Sequence, residues 1–308
     1  MEQTAAPTAS RFKAGETTIG LIGIGNMGAP MGANLLKAGW RLMVYDSDHA
    51  KADAFAKAHG AMTARSLAEM GNACPVVITM LPDGHIVRKV VLGESVNDDS
   101  LVRGFASGAV VIDMSSSSPV GTRELGQALI GRQIHLLDAP VSGGVKGAVA
   151  GTLAIMVGGD RKLAAELDTV LSPIGRRFYV GALGSGHAAK VLNNYVSAAG
   201  LAAAAEALHI AGRFGIEQPV LLDVINASTG RNNSTENKFA QFIFNGKFNS
   251  GFALGLMAKD LTLAMEVAKA CAVPAELGHA TLRLWKEAEA ELGGSSDHTE
   301  IARHVSKS

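Results

Sequence analysis

The stretch from Thr17 to Asp46 constrains this chain more than any other. Residues 17–23 read TTIGLIG, a short apolar run rich in β-formers, and lead into Gly23-Ile24-Gly25-Asn26-Met27-Gly28. Ala29 to Lys37 carries helical spacing, with Met31, Leu35 and Leu36 on one side and Gly39 as a stop. Arg41 to Tyr45 (RLMVY) is a second strand, closed by Asp46. Strand, glycine turn, helix, strand and terminal acid are the parts of a dinucleotide-binding βαβ unit. A G-x-G-x-x-G alone arises by chance in a chain with 36 glycines, so the order of elements and the place of Asp46, 23 residues after Gly23, carry the reading. Gly23 permits the tight turn, Gly25 lets the backbone approach a pyrophosphate, and Gly28 lets the helix pack closely on the strand. Phosphate oxygens then meet the free N–H groups of the helix N-terminus. Asp46 accepts hydrogen bonds from ribose hydroxyls, and its charge repels a 2′-phosphate. No arginine follows until Arg65, and Lys51 is the nearest cation, so NAD is predicted over NADP.

The alternation continues along the chain. Lys51 to His59 is helical, Ala61-Met62 is a short strand or a turn, and Ser66 to Gly71 is helical. Pro75 to Leu81 (PVVITML) is a buried-type strand, followed by a helix from His85 to Leu92 and a strand from Ala109 to Asp113. Pro119 suits the first turn of a helix running from Val120 to Gly131. The strand ends at Leu81 and Asp113 open onto the carboxyl edge of the sheet, where ligands bind in such folds. The four serines from Ser115 to Ser118 fit either cap and loop chemistry or contact with a cofactor. His135 to Ala139 is another strand, leading to Ser142-Gly143-Gly144. Two glycines after a serine leave the backbone amides bare, either as a nest for a carboxylate or as a flexible loop. Thr152 to Gly158 and Arg177 to Val180 are the last strands, with a helix from Lys162 to Leu171 between them. After Gly184 the patterns are helical: 188–214, 219–227, 237–244, 256–272 and 275–292, then a short helix led by Asp297. The fold class is α/β: a Rossmann-type dinucleotide-binding domain at 17–181, then an all-helical C-terminal domain at 182–308, linked by a long helix. Residues 1–16 are predicted to be a disordered tail.

With 28 basic and 28 acidic residues and no basic cluster, nucleic acid and anionic membrane are not predicted as partners. No stretch resembles a signal peptide or a membrane span, and Cys74 and Cys271 read as free buried thiols, so a cytoplasmic location is predicted. No His/Cys/Asp/Glu cluster has zinc spacing, so no metal is predicted.

Gly186-His187-Ala188-Ala189-Lys190-Val191-Leu192-Asn193-Asn194 opens the long helix. Lys190 and Asn194 stand four residues apart and so project from one face, while Leu192 and Val196 fall on other faces and can anchor the helix in a core. A lysine beside an amide is a proton donor plus an orienting group for a carbonyl substrate, or else a solvated surface lysine.

Four blocks decide between these: GLIGIGNMGAPMGANLLKAG, DAPVSGGVKGAVAGTL, GSGHAAKVLNN and LMAKDLTLA. Together, in this order, they resemble the β-hydroxyacid dehydrogenase family from Thr18 to the last helix. The resemblance implies that Lys190 is the catalytic lysine and Asn194 the amide that holds substrate. It implies that Ser142, Gly143 and Gly144 bind the substrate carboxylate. Asn26, Met27, Leu81 and Ser116 match positions that contact the cofactor, and Lys259 matches a second lysine near it. A homodimer or homotetramer is implied as well. The expected reaction passes a hydride between NAD and a small 3-hydroxy acid of the 3-hydroxyisobutyrate type, or its semialdehyde. Lys190 would serve as general acid/base, its pKa depressed by partial desolvation and a neighbouring cation. Alternatives are tartronate semialdehyde reductase, a dehydrogenase for another polar 3-hydroxy acid (threonate-like or 2-hydroxymethylglutarate-like), and a non-catalytic NAD-binding module. The polar run Ser228 to Glu236 is either a pocket wall, where Arg231, Asn232 and Asn233 would favour a polar substrate, or a solvated loop.

Overall fold

The computed structural model describes residues 10–95 and 97–306. The chain divides into two compact units, the first ending at Lys190 and the second starting at Val191.

The first unit alternates strands and helices: β1 (Thr18–Ile22), α1 (Gly28–Lys37), β2 (Arg41–Tyr45), α2 (His49–His59), β3 (Met62–Thr63), α3 (Leu67–Ala73), β4 (Val76–Thr79), α4 (Gly84–Leu92), β5 (Val110–Asp113), α5 (Pro119–Ile130) and β6 (His135–Asp138). Then come β7 (Val141–Ser142), α6 (Gly144–Ala150), β8 (Leu153–Gly158), α7 (Arg161–Glu166), α8 (Asp168–Leu171) and β9 (Gly175–Gly181). The strands form one sheet in the order β3-β2-β1-β4-β5-β6-β8-β7, with β9 on β8. The pairs from β3 to β6 are parallel, and β8 meets β6 and β7 antiparallel. Strand order therefore reverses between β1 and β4, which places the switch point of the sheet at the glycine turn.

Burial on both faces explains the continuous apolar runs of these strands. Val76, Ile78, Val110, Ile112 and Leu137 point to one face and belong to the same core as Met31 and Leu35 of α1 and Phe55 of α2. Val77, Val111 and Leu136 point to the other, under Met70 of α3, Val87 and Val91 of α4 and Leu125 of α5.

The structure departs from the sequence expectations at several places. The predicted tail 1–16 is too long: Phe12 is buried in the core and Arg11 pairs with Glu166 at 3.3 Å, so residues 10–16 belong to the first unit. Residues 1–9 lie outside the described part. Second, Gly144–Ala150, for which no helix is predicted, forms α6; its two glycines weaken the helical signal, and Asn34 of α1 supplies a tertiary hold by donating to the Ala148 carbonyl at 2.7 Å. Third, the first unit extends nine residues past the predicted boundary at 181, because the next helix begins bonded to the sheet. Fourth, Cys74 is buried, with its thiol pushed up to about 12, but Cys271 is exposed.

The long helix α9 (Ser185–Phe214) contains the boundary between the units. The second unit continues with α10 (Gln218–Ala227), α11 (Asn233–Asn237), a π turn at Phe239–Ile243, α12 (Leu254–Ala270), α13 (Glu276–Leu292) and α14 (Ile301–Val305). These pack around Trp285, which is fully buried among Leu201 and Leu208 of α9, Met257 and Leu261 of α12 and Ile301 of α14. Leu192 and Val196 do not anchor α9 as expected: both are exposed. Among the described residues, no helix is long and apolar enough to cross a membrane.

One buried polar cluster in this unit has a pH consequence. Lys238 Nζ lies 2.5 Å from His298 Nε2, and Ser250 Oγ lies 3.0 Å from His298 Nδ1. Burial, with the Lys238 cation beside it and only partly offset by Asp297, pulls His298 down to about 4, against 6.5 for a free imidazole. The unfolded chain then binds the extra proton first as pH falls. The contribution is full above about 6.5 and is lost progressively between about 6.5 and 4, a difference of about 3 kcal/mol. Urea unfolding followed by Trp285 fluorescence in a Trp40→Phe background measures it. His298→Gln is expected to remove that share of the acid loss; an equal loss in both proteins would clear His298 of the effect.

Candidate active site

The parallel strands end level with one another. Ile22 is in register with Tyr45 and Thr79, Thr79 with Asp113, and Asp113 with Asp138. This alignment brings the predicted residues of the first unit to a single sheet edge: the glycine turn after β1, Asp46 after β2, Leu81 after β4 and Ser116 after β5.

The turn is shaped for close approach. Gly23 has φ +97°, and a Cβ on Gly28 would lie 1.9 Å from the Gly23 carbonyl oxygen, so α1 can start here only from a glycine. Gly25 and Asn26 are exposed, Met27 is half-buried, and a Cβ on Gly25 would meet nothing within 4 Å. The space over Gly25 is what a pyrophosphate resting on the N-terminus of α1 requires. Asp46 braces the same turn: its Oδ2 accepts from Ile24 N at 2.8 Å and its Oδ1 from Asp48 N at 3.0 Å. Each oxygen keeps a lone pair for further donors. A dinucleotide therefore fits this edge.

The serines divide by role. Ser117 Oγ donates to Asp113 Oδ2 at 2.7 Å, Ser115 N donates to Asp113 Oδ1 at 3.0 Å, and Ser118 caps α5. Leu81 N donates to Ser115 Oγ at 2.9 Å, which fixes the end of β4 against that of β5. Ser116 is partly exposed between two buried neighbours, the arrangement that suits a ligand contact. Ser142 ends β7, and Gly143 and Gly144 stand exposed with φ +131° and +62°, so the backbone there is open.

Lys190 is half-buried on the second turn of α9. The start of this helix is held by residues that carry no distinguishing signal in the sequence. Asp138, fully buried, accepts from Gly184 N through Oδ1 and from His187 N through Oδ2, both at 2.8 Å. A buried acid at a strand end has no local pattern that distinguishes it from an acid in a turn.

In the second unit, Asn194 is buried and donates from Nδ2 to Asp260 Oδ2 of α12 at 2.6 Å. Its Oδ1 accepts from Asn193 Nδ2 at 3.2 Å. Asp260, next to the half-buried Lys259, is the partner that fixes this amide. The predicted residues thus form two groups, one in each unit. Of the polar run, Asn232 caps α11, accepting from Ser234 N at 2.8 Å and Thr235 N at 3.2 Å, with Thr235 Oγ1 accepting in return from Asn232 N. Arg231 faces Glu236 at 3.7 Å on the surface. Among the described residues, no group of three or more His, Cys, Asp or Glu is placed to hold a metal ion.

Known proteins match both units. Residues 18–184 match the NAD binding domain of 6-phosphogluconate dehydrogenase, and 184–305 the NAD-binding domain of NADP-dependent 3-hydroxyisobutyrate dehydrogenase. The chain is 36% identical to 2-(hydroxymethyl)glutarate dehydrogenase of Eubacterium barkeri, over 92% of this chain and 93% of that protein. It is 38% identical to the NAD-dependent L-serine dehydrogenase of Pseudomonas aeruginosa, over 87% and 91%. A solved structure of Mycobacterium tuberculosis 3-hydroxyisobutyrate dehydrogenase with L-serine has a TM-score of 0.84 at 36% identity, covering 94% of this chain and 99% of that chain. Fold, turn and matches define an NAD-dependent oxidoreductase acting on CH–OH groups. More narrowly, the chain belongs to the β-hydroxyacid dehydrogenase family.

Proposed function

We propose that this protein transfers a hydride between NAD and a small acid of the form HOCH2–CHR–COO⁻, with Lys190 as the proton carrier. The observation that carries the proposal is the sheet edge, where an open glycine turn braced by Asp46 lies on the same edge as Asp138, whose carboxylate anchors the helix bearing Lys190. The acids named for the relatives, 3-hydroxyisobutyrate, 2-(hydroxymethyl)glutarate and L-serine, share a primary alcohol on the carbon β to a carboxylate and differ in R.

When bound, the nicotinamide supplies the hydride acceptor. Gly23, Gly25, Asn26, Met27, Gly28, Asp46, Leu81, Ser116 and Lys259 would hold the dinucleotide, the glycine turn at its pyrophosphate and Asp46 at a ribose. Lys190 Nζ takes the hydroxyl proton during oxidation and returns it during reduction. Asn194, its amide oriented by Asp260, holds the oxygen that changes bond order. Ser142 and the open backbone of Gly143 and Gly144 bind the carboxylate, so the carbinol carbon is placed by both ends of the substrate. Asp46 sets the preference for NAD, because a 2′-phosphate would meet its charge. A substrate panel followed at 340 nm with NAD and with NADP tests this. NADH formation is expected with the three acids, with a loss of about 100-fold or more in kcat/KM for the methyl esters, which leave the hydrogen-bond donors at Ser142 to Gly144 without their charged acceptor. Undiminished turnover of the esters, or a preference for NADP, would remove the carboxylate site or the role of Asp46 respectively. Tight NADH binding with no turnover of any of them would favour the non-catalytic module.

The second unit also supports self-association. Leu192, Val196, Ile210 and Phe214 share one face of α9 and are exposed, Phe214 by 83%, with Val220 and Val224 of α10 exposed nearby in sequence. An apolar stripe of this length fits a second copy of the chain, as a homodimer or within a homotetramer. Sedimentation at the 31.8 kDa of one chain would defeat it. The two free cysteines agree with a cytoplasmic setting.

A further inference from the structure

His187 has no part in the roles assigned above, yet it is wholly buried at the point where the sheet edge meets α9. Its Nε2 is 3.2 Å from the Ser115 carbonyl oxygen, which can only accept, so Nε2 carries a hydrogen and donates it there. Its Nδ1 is 2.8 Å from Thr122 Oγ1 of α5. The charged groups facing the ring are Asp113, with Oδ2 3.6 Å from Nε2, and Asp138, with Oδ2 3.8 Å from Nδ1. Lys190 follows three residues later on the same helix.

We propose that His187 is a positioning residue for hydride transfer: held between Thr122 and Ser115, with its backbone N–H on Asp138, it fixes the first turn of α9 on the ends of β5 and β6 and thereby fixes where Lys190 stands. The inference rests on the reading of Lys190 as proton carrier.

The first turn of a helix ordinarily carries N–H groups with no internal partner and is its loosest part. Here Asp138 takes two of those donors, and a Cβ on Gly186 would lie 2.3 Å from the Met156 carbonyl oxygen, so the turn sits directly on the sheet. These backbone ties hold the turn down from beneath. The His187 ring adds two side-chain ties to α5 and to the segment after β5, which resist rotation and tilt of the helix. In a dry setting such bonds are directional, and leaving them unmade is unfavourable. Ser115 also holds Leu81, so one residue ties a predicted cofactor-contacting strand end to the lysine-bearing helix. The register between proton carrier and hydride acceptor is thereby set through a short, fully buried path.

Kinetics of His187→Ala, Lys190→Ala and the double variant test the idea, with NADH affinity and melting temperature measured on each. His187→Ala is expected to lower kcat about 10- to 100-fold, the scale of a small misplacement of reacting groups, while KM and NADH affinity move by less than about threefold. In the Lys190→Ala background the same change is expected to have no further effect on the residual kcat. His187→Gln, whose amide can reach the Ser115 carbonyl, should recover part of the loss. Thr122→Val, which removes the Nδ1 partner together with the Thr122 Oγ1 bond to the Ser118 carbonyl, should show a smaller kcat loss of the same kind and keeps the test available should His187→Ala fail to fold. A kcat within threefold of the parent in both His187→Ala and Thr122→Val overturns the proposal. Equal kcat losses in the presence and absence of Lys190, or losses that track melting temperature and NADH affinity alone, also overturn it. Near-normal kcat in Lys190→Ala by itself would instead defeat the reading of Lys190.

Discussion

Lys190→Ala is expected to lower kcat by about 10³-fold, near the middle of the range for loss of a positioned acid/base group and equal to about 4 kcal/mol of barrier. KM for the acid and the dissociation constant of NADH should change little. The glycine turn, Asp46, Leu81 and Ser116 lie on strand ends that do not include this side chain, and Ser142 to Gly144 lie at the end of β7 and the start of α6. The fold should survive as well, because α9 is fastened by Gly184, His187 and Asp138, all N-terminal to the lysine. Steady-state kinetics with a semialdehyde and NADH, with fluorescence titration of NADH, measure both quantities. A kcat within threefold of the parent would take Lys190 out of the chemistry; a parallel loss of NADH affinity would make it a cofactor ligand instead.

The second large effect separates two glycines that the motif treats alike. Gly28→Ala puts a Cβ 1.9 Å from the Gly23 carbonyl oxygen, a backbone atom that cannot swing aside. Helix α1 must lift from the turn, with a loss of stability of about 2–3 kcal/mol, in the range for overpacking a tight contact, and NADH binding should fall with it. Gly25→Ala meets nothing within 4 Å in the protein. Its stability should stay within about 0.5 kcal/mol of the parent. A methyl group there still occupies the space where a pyrophosphate would approach, so NADH affinity should drop by about tenfold or more, the equivalent of about 1.4 kcal/mol. Thermal unfolding and NADH titration of the two variants distinguish the cases. If Gly25→Ala binds NADH like the parent, the cofactor does not lie over this turn.

Much of the first unit is legible from local pattern. The runs TIGLI, RLMVY, VVIT and VVID are buried on both faces, so each reads as a strand without reference to its neighbours. Helix α6 is not legible, because its glycines carry no helical preference and its hold comes from Asn34, more than a hundred residues away in sequence. Leu192 and Val196 misled for the opposite reason. Apolar residues at helical spacing announce a face that wants cover, and nothing in the spacing says whether this chain or another supplies it.

The sequence by itself determined the order of strands and helices, the glycine turn with Asp46, and the placement of Lys190 and Asn194 four residues apart on one helix. Those features depend on residues close together in the chain, where backbone geometry and periodicity act. The tertiary structure alone decided what holds them in place. Asp113 accepts from Thr79 across 34 residues, Asp138 from the His187 N–H across 49, His187 reaches the Ser115 carbonyl across 72, and Asp260 reaches Asn194 across 66. Buried polar groups must find partners wherever the fold puts them. Their roles are therefore written in the packing, and an acid such as Asp138 looks in sequence like any other.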